Sequence, residues 1–245
     1  MTAAARTAET GAGWPRRVVP ELLDELAPDD PRALRSRRDL RVVNAIMGHA
    51  ALLARALDTV VTTSPPRLVE LGAGDGTILL RLAKRRARRW PQAQVTLLDT
   101  QPTATPATLA ALRALGWAVE VVAADALEWL EQSPPKRDTV VLANLFVHHF
   151  EGERLARLLA GVAAHAAAFV CCEPQRARLA LLGSHLLWAL GCNDVTRHDA
   201  VVSVHAGFRA RELTAEWLRA AGTGWSTDEV PGGAFSHLFV ARRAP

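Results

Sequence analysis

Arg67-Leu68-Val69-Glu70-Leu71-Gly72-Ala73-Gly74-Asp75-Gly76-Thr77 is the stretch whose reading decides the fold. The apolar run from Leu68 to Leu71 reads as a buried strand interrupted by one carboxylate, Glu70. Glycines follow at alternate positions, and Ile78-Leu79-Leu80-Arg81-Leu82-Ala83 then opens an apolar helix. Strand, glycine turn and helix form the start of a nucleotide-binding βαβ unit, because the turn lets the backbone approach a ligand at the helix N-terminus. The spacing bears on which nucleotide. A dinucleotide fingerprint has glycines at its first, third and sixth positions. Counted from Gly72 the sixth residue here is Thr77, and the glycines stand first, third and fifth. A pyrophosphate at this turn would lie beside the Asp75 carboxylate, which repels it unless that charge is screened or turned away. A ligand without phosphate, carrying a sulfonium and an ammonium, suits Glu70 and Asp75 better.

The segment from Glu70 to Thr77 resembles the first motif of class I S-adenosylmethionine (SAM) methyltransferases. The resemblance implies an α/β fold: a Rossmann-like seven-stranded sheet with helices on both faces, an N-terminal helical cap and a C-terminal antiparallel hairpin. It implies SAM as the cofactor, with Glu70, Gly72, Gly74 and Asp75 in its site. The alternative is a glycine-rich turn between buried elements that binds nothing.

Downstream acids extend the pattern. Val95 to Asp99 reads as a second strand, and an acid at its end, about twenty residues past the loop, is placed to accept from ribose hydroxyls. NAD enzymes share that feature, so Asp99 indicates an adenosine ligand without naming it. Val119 to Ala124 is a third strand ending at Asp125. In the resembled family an acid here, with the next backbone N–H, reads the adenine edge, which assigns Asp125 and Ala126; Asp125 could equally cap the helix that follows. A fourth strand, Asp138 to Asn144, points its carboxyl end at the reaction centre, placing Asn144 in the cofactor site and His148-His149 close by. Asn144-Leu145-Phe146-Val147 lacks the Asn/Asp-Pro-Pro-aromatic motif of amino-directed nucleic-acid enzymes, and no Pro-Cys nucleophile lies near.

Helical patterning fills residues 15–61, with a long helix from Ala33 to Leu57 interrupted near Gly48. Ala168 to Pro174 reads as a fifth strand, and Arg176 to Leu190 as a helix ending at Gly191. Between that helix and Glu212 to Ala221 lies a polar set, His198-Asp199, Ser203 and His205, in a segment that forms a substrate lid in such folds. Trp225 to Glu229 and Ser236 to Ala241 close the chain as a hairpin. The organisation expected is a disordered tail over 1–13 and one domain over 14–245: a helical cap over 14–63, then a core over 64–245 with its lid around 175–211.

Composition narrows the function. The chain of 245 residues has no Tyr, and its only lysines are Lys84 and Lys136. A Tyr-Lys dehydrogenase and a P-loop are thereby excluded. Three cysteines without metal spacing fit a reducing cytoplasm, and no metal is expected. A net charge of +4, carried almost entirely by Arg, does not by itself indicate nucleic acid. No apolar run reaches the roughly 18 residues of a membrane span. The function implied is methyl transfer from SAM to a small organic acceptor, at oxygen on a phenolic, polyketide-like or quinone-like compound, with carbon methylation as the nearest alternative. An RNA methyltransferase and a SAM-binding protein without catalysis are the other readings, and a homodimer is compatible with each. Histidine suits proton removal, since its unperturbed pKa of about 6.5 is near neutrality. His198, backed by Asp199, and His149 are the candidate bases.

Overall fold

The computed structural model describes residues 14–61, 66–133 and 138–244. The tail expected over 1–13 lies outside the described residues. The chain begins with the cap: α1 (Leu22–Glu25), α2 (Pro31–Ile46) and α3 (His49–Leu57). The long helix expected from Ala33 to Leu57 bends by 59° between α2 and α3. Gly48 stands at the break with φ +69°, a left-handed conformation that ends one helix and starts the next.

Five strands then run parallel: β1 (Arg67–Leu71), β2 (Gln94–Asp99), β3 (Ala118–Ala123), β4 (Thr139–Asn144) and β5 (Ala166–Pro174). The helices between them are α4 (Thr77–Arg86), α5 (Pro106–Ala114), α6 (Ala126–Gln132) and α7 (Gly152–His165). After β5 come α8 (Arg178–His185), a 3₁₀ turn over Leu186–Leu190, α9 (Asp194–Ala206) and α10 (Glu212–Ala221). The hairpin of β6 (Trp225–Pro231) and β7 (Ser236–Arg243) completes a seven-stranded sheet of order β3-β2-β1-β4-β5-β7-β6, with β7 antiparallel to both neighbours. This is the class I methyltransferase arrangement that the sequence led us to expect.

Alternation along the strands divides the core. Leu68, Val140 and Leu142 pack with Leu53, Leu79 and Leu112 of α3, α4 and α5. Val69, Leu71 and Val141 face the other way, against Leu130, Leu158 and Trp217 of α6, α7 and α10. Phe169 of β5 stacks on Trp217 with ring centroids 5.5 Å apart, a pair worth about 0.5–1.5 kcal/mol beyond its buried area. The strand order reverses between β1 and β4, which opens a crevice at their carboxyl ends.

Two expectations change. The helix over 176–190 breaks into α8 and the 3₁₀ turn, and the polar lid segment is itself helical, α9, capped by Asn193 accepting from Thr196 N at 2.9 Å. No single described helix is long and apolar enough to cross a membrane.

Candidate functional site

A cavity of about 1150 Å³ occupies the crevice, walled on one side by the strand ends and on the other by α1, α2, α8 and α9. On the strand side, Gly72, Gly74 and Gly76 all have positive φ, which only glycine adopts freely. A Cβ at Gly72 would stand 2.3 Å from the Phe146 ring, whereas one at Gly74 would meet nothing within 4 Å. The first glycine thus permits packing, and the second leaves backbone open for a ligand's approach. Gly74 N donates to Asp99 Oδ2 at 2.8 Å and Gln101 N to Asp99 Oδ1 at 2.8 Å, so Asp99 clamps the ends of β1 and β2 together.

Glu70 is buried, and its Oε2 has no partner among the described residues. Burial, then the nearby charges of Asp75 and Asp99, push its carboxyl up to about 8. Asn144 Oδ1 is likewise buried and unpartnered. Both residues line the cavity, and buried polar atoms of this kind are normally satisfied. They fit a ligand that brings hydrogen-bond donors and positive charge, as SAM does.

Asp75 corrects the sequence argument. Its Oδ1 accepts from Thr77 N at 3.0 Å at the start of α4, and its Oδ2 pairs with Arg41 Nη1 at 2.8 Å. The charge held to repel a pyrophosphate is therefore screened, and the case against a dinucleotide rests on the glycine spacing, with Thr77 at the sixth position. Asp125 does cap α6, its Oδ1 accepting from Leu127 N and Glu128 N. Asp125 and Ala126 also line the cavity, and capping engages only one of the two carboxylate oxygens.

A network joins the strand ends to the cap. Glu173, fully buried at the end of β5, accepts from the backbone N–H groups of Phe146, Val147 and His148. It also pairs with His148 Nδ1 at 2.8 Å, and His148 Nε2 lies 3.3 Å from Glu21 Oε1, which accepts from Ser203 as well. Burial alone would lower the His148 pKa, but hydrogen bonds to Glu173 and Glu21 outweigh it and raise the imidazole to about 9. Leu145, with φ +54°, turns the chain out of β4 into this wall; a non-glycine residue in that conformation is strained, and such strain clusters at functional sites.

His149 is the opposite case. Burial, then the charge on His148, push it down to about 4, so its imidazole is neutral at neutral pH. Its Nδ1 lies 3.5 Å from Asp24 Oδ2, and both residues line the cavity. Partial burial, then Glu21 and Asp199, raise the Asp24 carboxyl to about 6.

His198 is not where the lid argument put it. It does not line the cavity, its side chain is 49% exposed, and its Nδ1 meets Asp199 Oδ1 at 2.9 Å. Asp199 in turn accepts from Leu22 N at 2.8 Å and Leu23 N at 3.0 Å. Asp199 lines the cavity and secures α1, while the His198 ring stays outside the lining. Sequence reasoning missed Glu21 and Asp24 altogether. Glu21 meets a histidine 127 positions away, and no local pattern announces such a partner. Glu21, His148 and His149 offer donor atoms within 4.8 Å of one another and are the described residues that could hold a cation, although Glu21 and His148 already engage each other.

Residues 68–168 match a family model described as a methyltransferase domain. A comparison with curated proteins gives no match. Among solved structures the chain is similar to the mitomycin 7-O-methyltransferase MmcR, at 19% identity and a TM-score of 0.58 over 91% of this chain and 60% of that one. An O-methyltransferase family protein from Burkholderia thailandensis is similar at 19% identity and a TM-score of 0.55, over 89% of this chain and 63% of that one. The chain thus spans about three-fifths of the length of these two proteins. The plantazolicin methyltransferase BamL, solved with a triazolic desmethylPZN analog and SAH, is similar at 10% identity and a TM-score of 0.63, over 89% of this chain and 93% of that one.

Proposed function

We propose that this chain, a methyltransferase-domain protein of the class I fold, transfers a methyl group from SAM to a small organic acceptor, at the oxygen of a phenolic, polyketide-like or quinone-like compound. One observation carries the reading: Glu70, a buried carboxyl with an unpartnered oxygen, stands at the head of a glycine turn whose Gly74 backbone is open to the cavity. A sulfonium nucleoside bearing an ammonium supplies the positive charge that this wall lacks. Glu70 and Asn144 would hold its amino-acid end, Asp99 its ribose and Asp125-Ala126 its adenine. Asp99 retains acceptor capacity beyond its two backbone bonds, since each carboxylate oxygen accepts about two. Bound there, SAM supplies an electrophilic methyl carbon, whose bond to sulfur breaks as the acceptor oxygen bonds to it.

The chain's own contribution is alignment, exclusion of water and removal of the acceptor's proton. His149 is neutral at working pH and lines the cavity. When its imidazole takes the hydroxyl proton, Asp24 stabilises the resulting charge. His148 is held charged between two carboxylates and so serves to position the turn that carries His149.

Methyl transfer from isotope-labelled SAM to hydroquinone acceptors, read by mass spectrometry, tests the proposal. His149→Ala should lower kcat by about 10²–10⁴ while SAH affinity stays at the parent value. His198→Ala should leave the rate near that of the parent. The reverse pattern would return the base to α9. Label appearing on ring carbon would replace oxygen by carbon as the acceptor atom, and a steeply salt-dependent affinity for RNA would favour a nucleic-acid acceptor.

A further inference from the structure

The cavity carries polar groups at the strand ends, and its wall between α2 and α8 is rich in apolar side chains. Ile46, Met47, Leu186, Leu190 and Phe235 line that wall. Four of them are also open to solvent: Ile46 is 63% exposed, Leu186 50%, Leu190 54% and Phe235 36%. The apolar lining therefore reaches solvent at the mouth. It continues along α8, where Leu182 and Leu179 stand four and seven residues before Leu186, on the same helical face, each more than half exposed. Contiguous apolar surface of this kind marks a binding groove more often than idle surface.

The groove is built in advance. Arg35 Nη2 donates to Gly191 O at 2.8 Å and Asn193 Nδ2 to Arg32 O at 2.9 Å, so α2 is tied to the far end of the α8 arm. A Cβ at Gly183 would stand 2.7 Å from the Phe235 ring, so the absence of a side chain there lets that ring lie against α8. The cavity of about 1150 Å³ exceeds the roughly 300–1,000 Å³ of ordinary small-molecule pockets. It has room for a nucleoside, a ring and more.

We infer that the acceptor is an amphiphile: a hydroxylated ring bearing an unbranched aliphatic chain, with the ring at the His149 end and the chain leaving between Ile46, Leu186 and Leu190 along the α8 stripe. The inference rests on the methyl-transfer reading and names the substrate class for that same site. A small polar acceptor would leave these side chains in water, whereas a hydrocarbon chain covers them from inside the cavity. Continuity of the lining with the stripe favours this occupant over a second copy of the chain, which would meet the stripe from outside alone.

Hydroquinones with alkyl chains of increasing length, assayed with the parent and with an Ile46→Ser/Leu190→Ser variant, test it, with SAH binding as the check on folding. The parent's kcat/KM should climb by about twofold to fourfold per added methylene until the chain outgrows the groove. The variant's slope against chain length should flatten. Equal kcat/KM at every length would overturn the aliphatic chain and leave methyl transfer standing. SAH binding with no acceptor of any length methylated would remove the phenolic reading, and this inference with it. A variant that keeps the parent's slope but turns a dimer into a monomer would assign the stripe to a second copy instead.

Discussion

At the carboxyl ends of β1 and β4, Glu70 and Asn144 each hold a buried oxygen with no partner among the described residues. Between the strand ends and the cap, Glu173 accepts three backbone N–H groups and an imidazole, Glu21 accepts from His148 and Ser203, and Asp199 accepts two N–H groups from α1. Both walls are rich in acid, but one is left short of positive charge and the other is neutralised from within. In a low-dielectric site that difference assigns roles. The unpaired wall gains from a cationic ligand, while the saturated wall presents fixed geometry and needs no rearrangement when an acceptor arrives.

If the walls differ in this way, removing an acid should act oppositely on the two. Glu173→Ala strips the partners from a buried charged imidazole and three N–H groups. It should cost about 3–5 kcal/mol of stability by chemical denaturation; a loss below about 1 kcal/mol would mean the wall is not saturated as described. Asp99→Ala should weaken SAH by about 2–4 kcal/mol in calorimetry, since charged hydrogen bonds are strong and the Gly74 clamp goes with them. Parent-like affinity in a folded variant would move the ribose elsewhere.

Glu70→Gln sharpens the comparison through pH. The folded pKa of Glu70 is raised, to about 8 from 4.5, so the folded protein keeps a proton that the unfolded chain has lost. Its contribution to stability is fully present below pH 4.5 and is lost as pH rises toward 8. The ligand-free variant, freed of that loss, should match or exceed the parent by on the order of 1 kcal/mol at pH 8 and lose the advantage near pH 5. A gap independent of pH, followed by thermal melts, would show that Glu70 is already ionised. The smallest effect belongs to Arg41→Ala, which breaks an ion pair joining α2 to the glycine turn. That pair is partly exposed, so the change in stability should stay within about 1 kcal/mol.

The same contrast explains what could be read from sequence. The glycine turn, the strand-end acids Asp99 and Asp125 and the closing hairpin are contiguous patterns: each residue's role follows from neighbours a few positions away. The sheet was legible for that reason, and so were the residues now proposed for the cofactor. The cap wall joins residue 21 to 148 and 203, and residue 199 to 22 and 23. Helical periodicity gives no hint of such pairs. His198-Asp199 looked like a catalytic couple because adjacency in sequence was the only adjacency visible. The fold turned Asp199 to the start of α1 and left His198 outside the cavity. Asp75 failed for a related reason, its compensating Arg41 lying on another helix.

The central claim is that the unpaired acid wall is a site for a cationic nucleoside, and calorimetric titration of the parent with SAH tests it most directly. Run near pH 7 in two buffers of different ionisation enthalpy, with NAD as the comparison ligand, it reads affinity and proton release together. SAH should bind at micromolar affinity or tighter and release up to about one proton per site as the ligand's ammonium ionises Glu70, while NAD should give no comparable heat. NAD binding as tightly as SAH, or SAH failing to bind, would contradict the account.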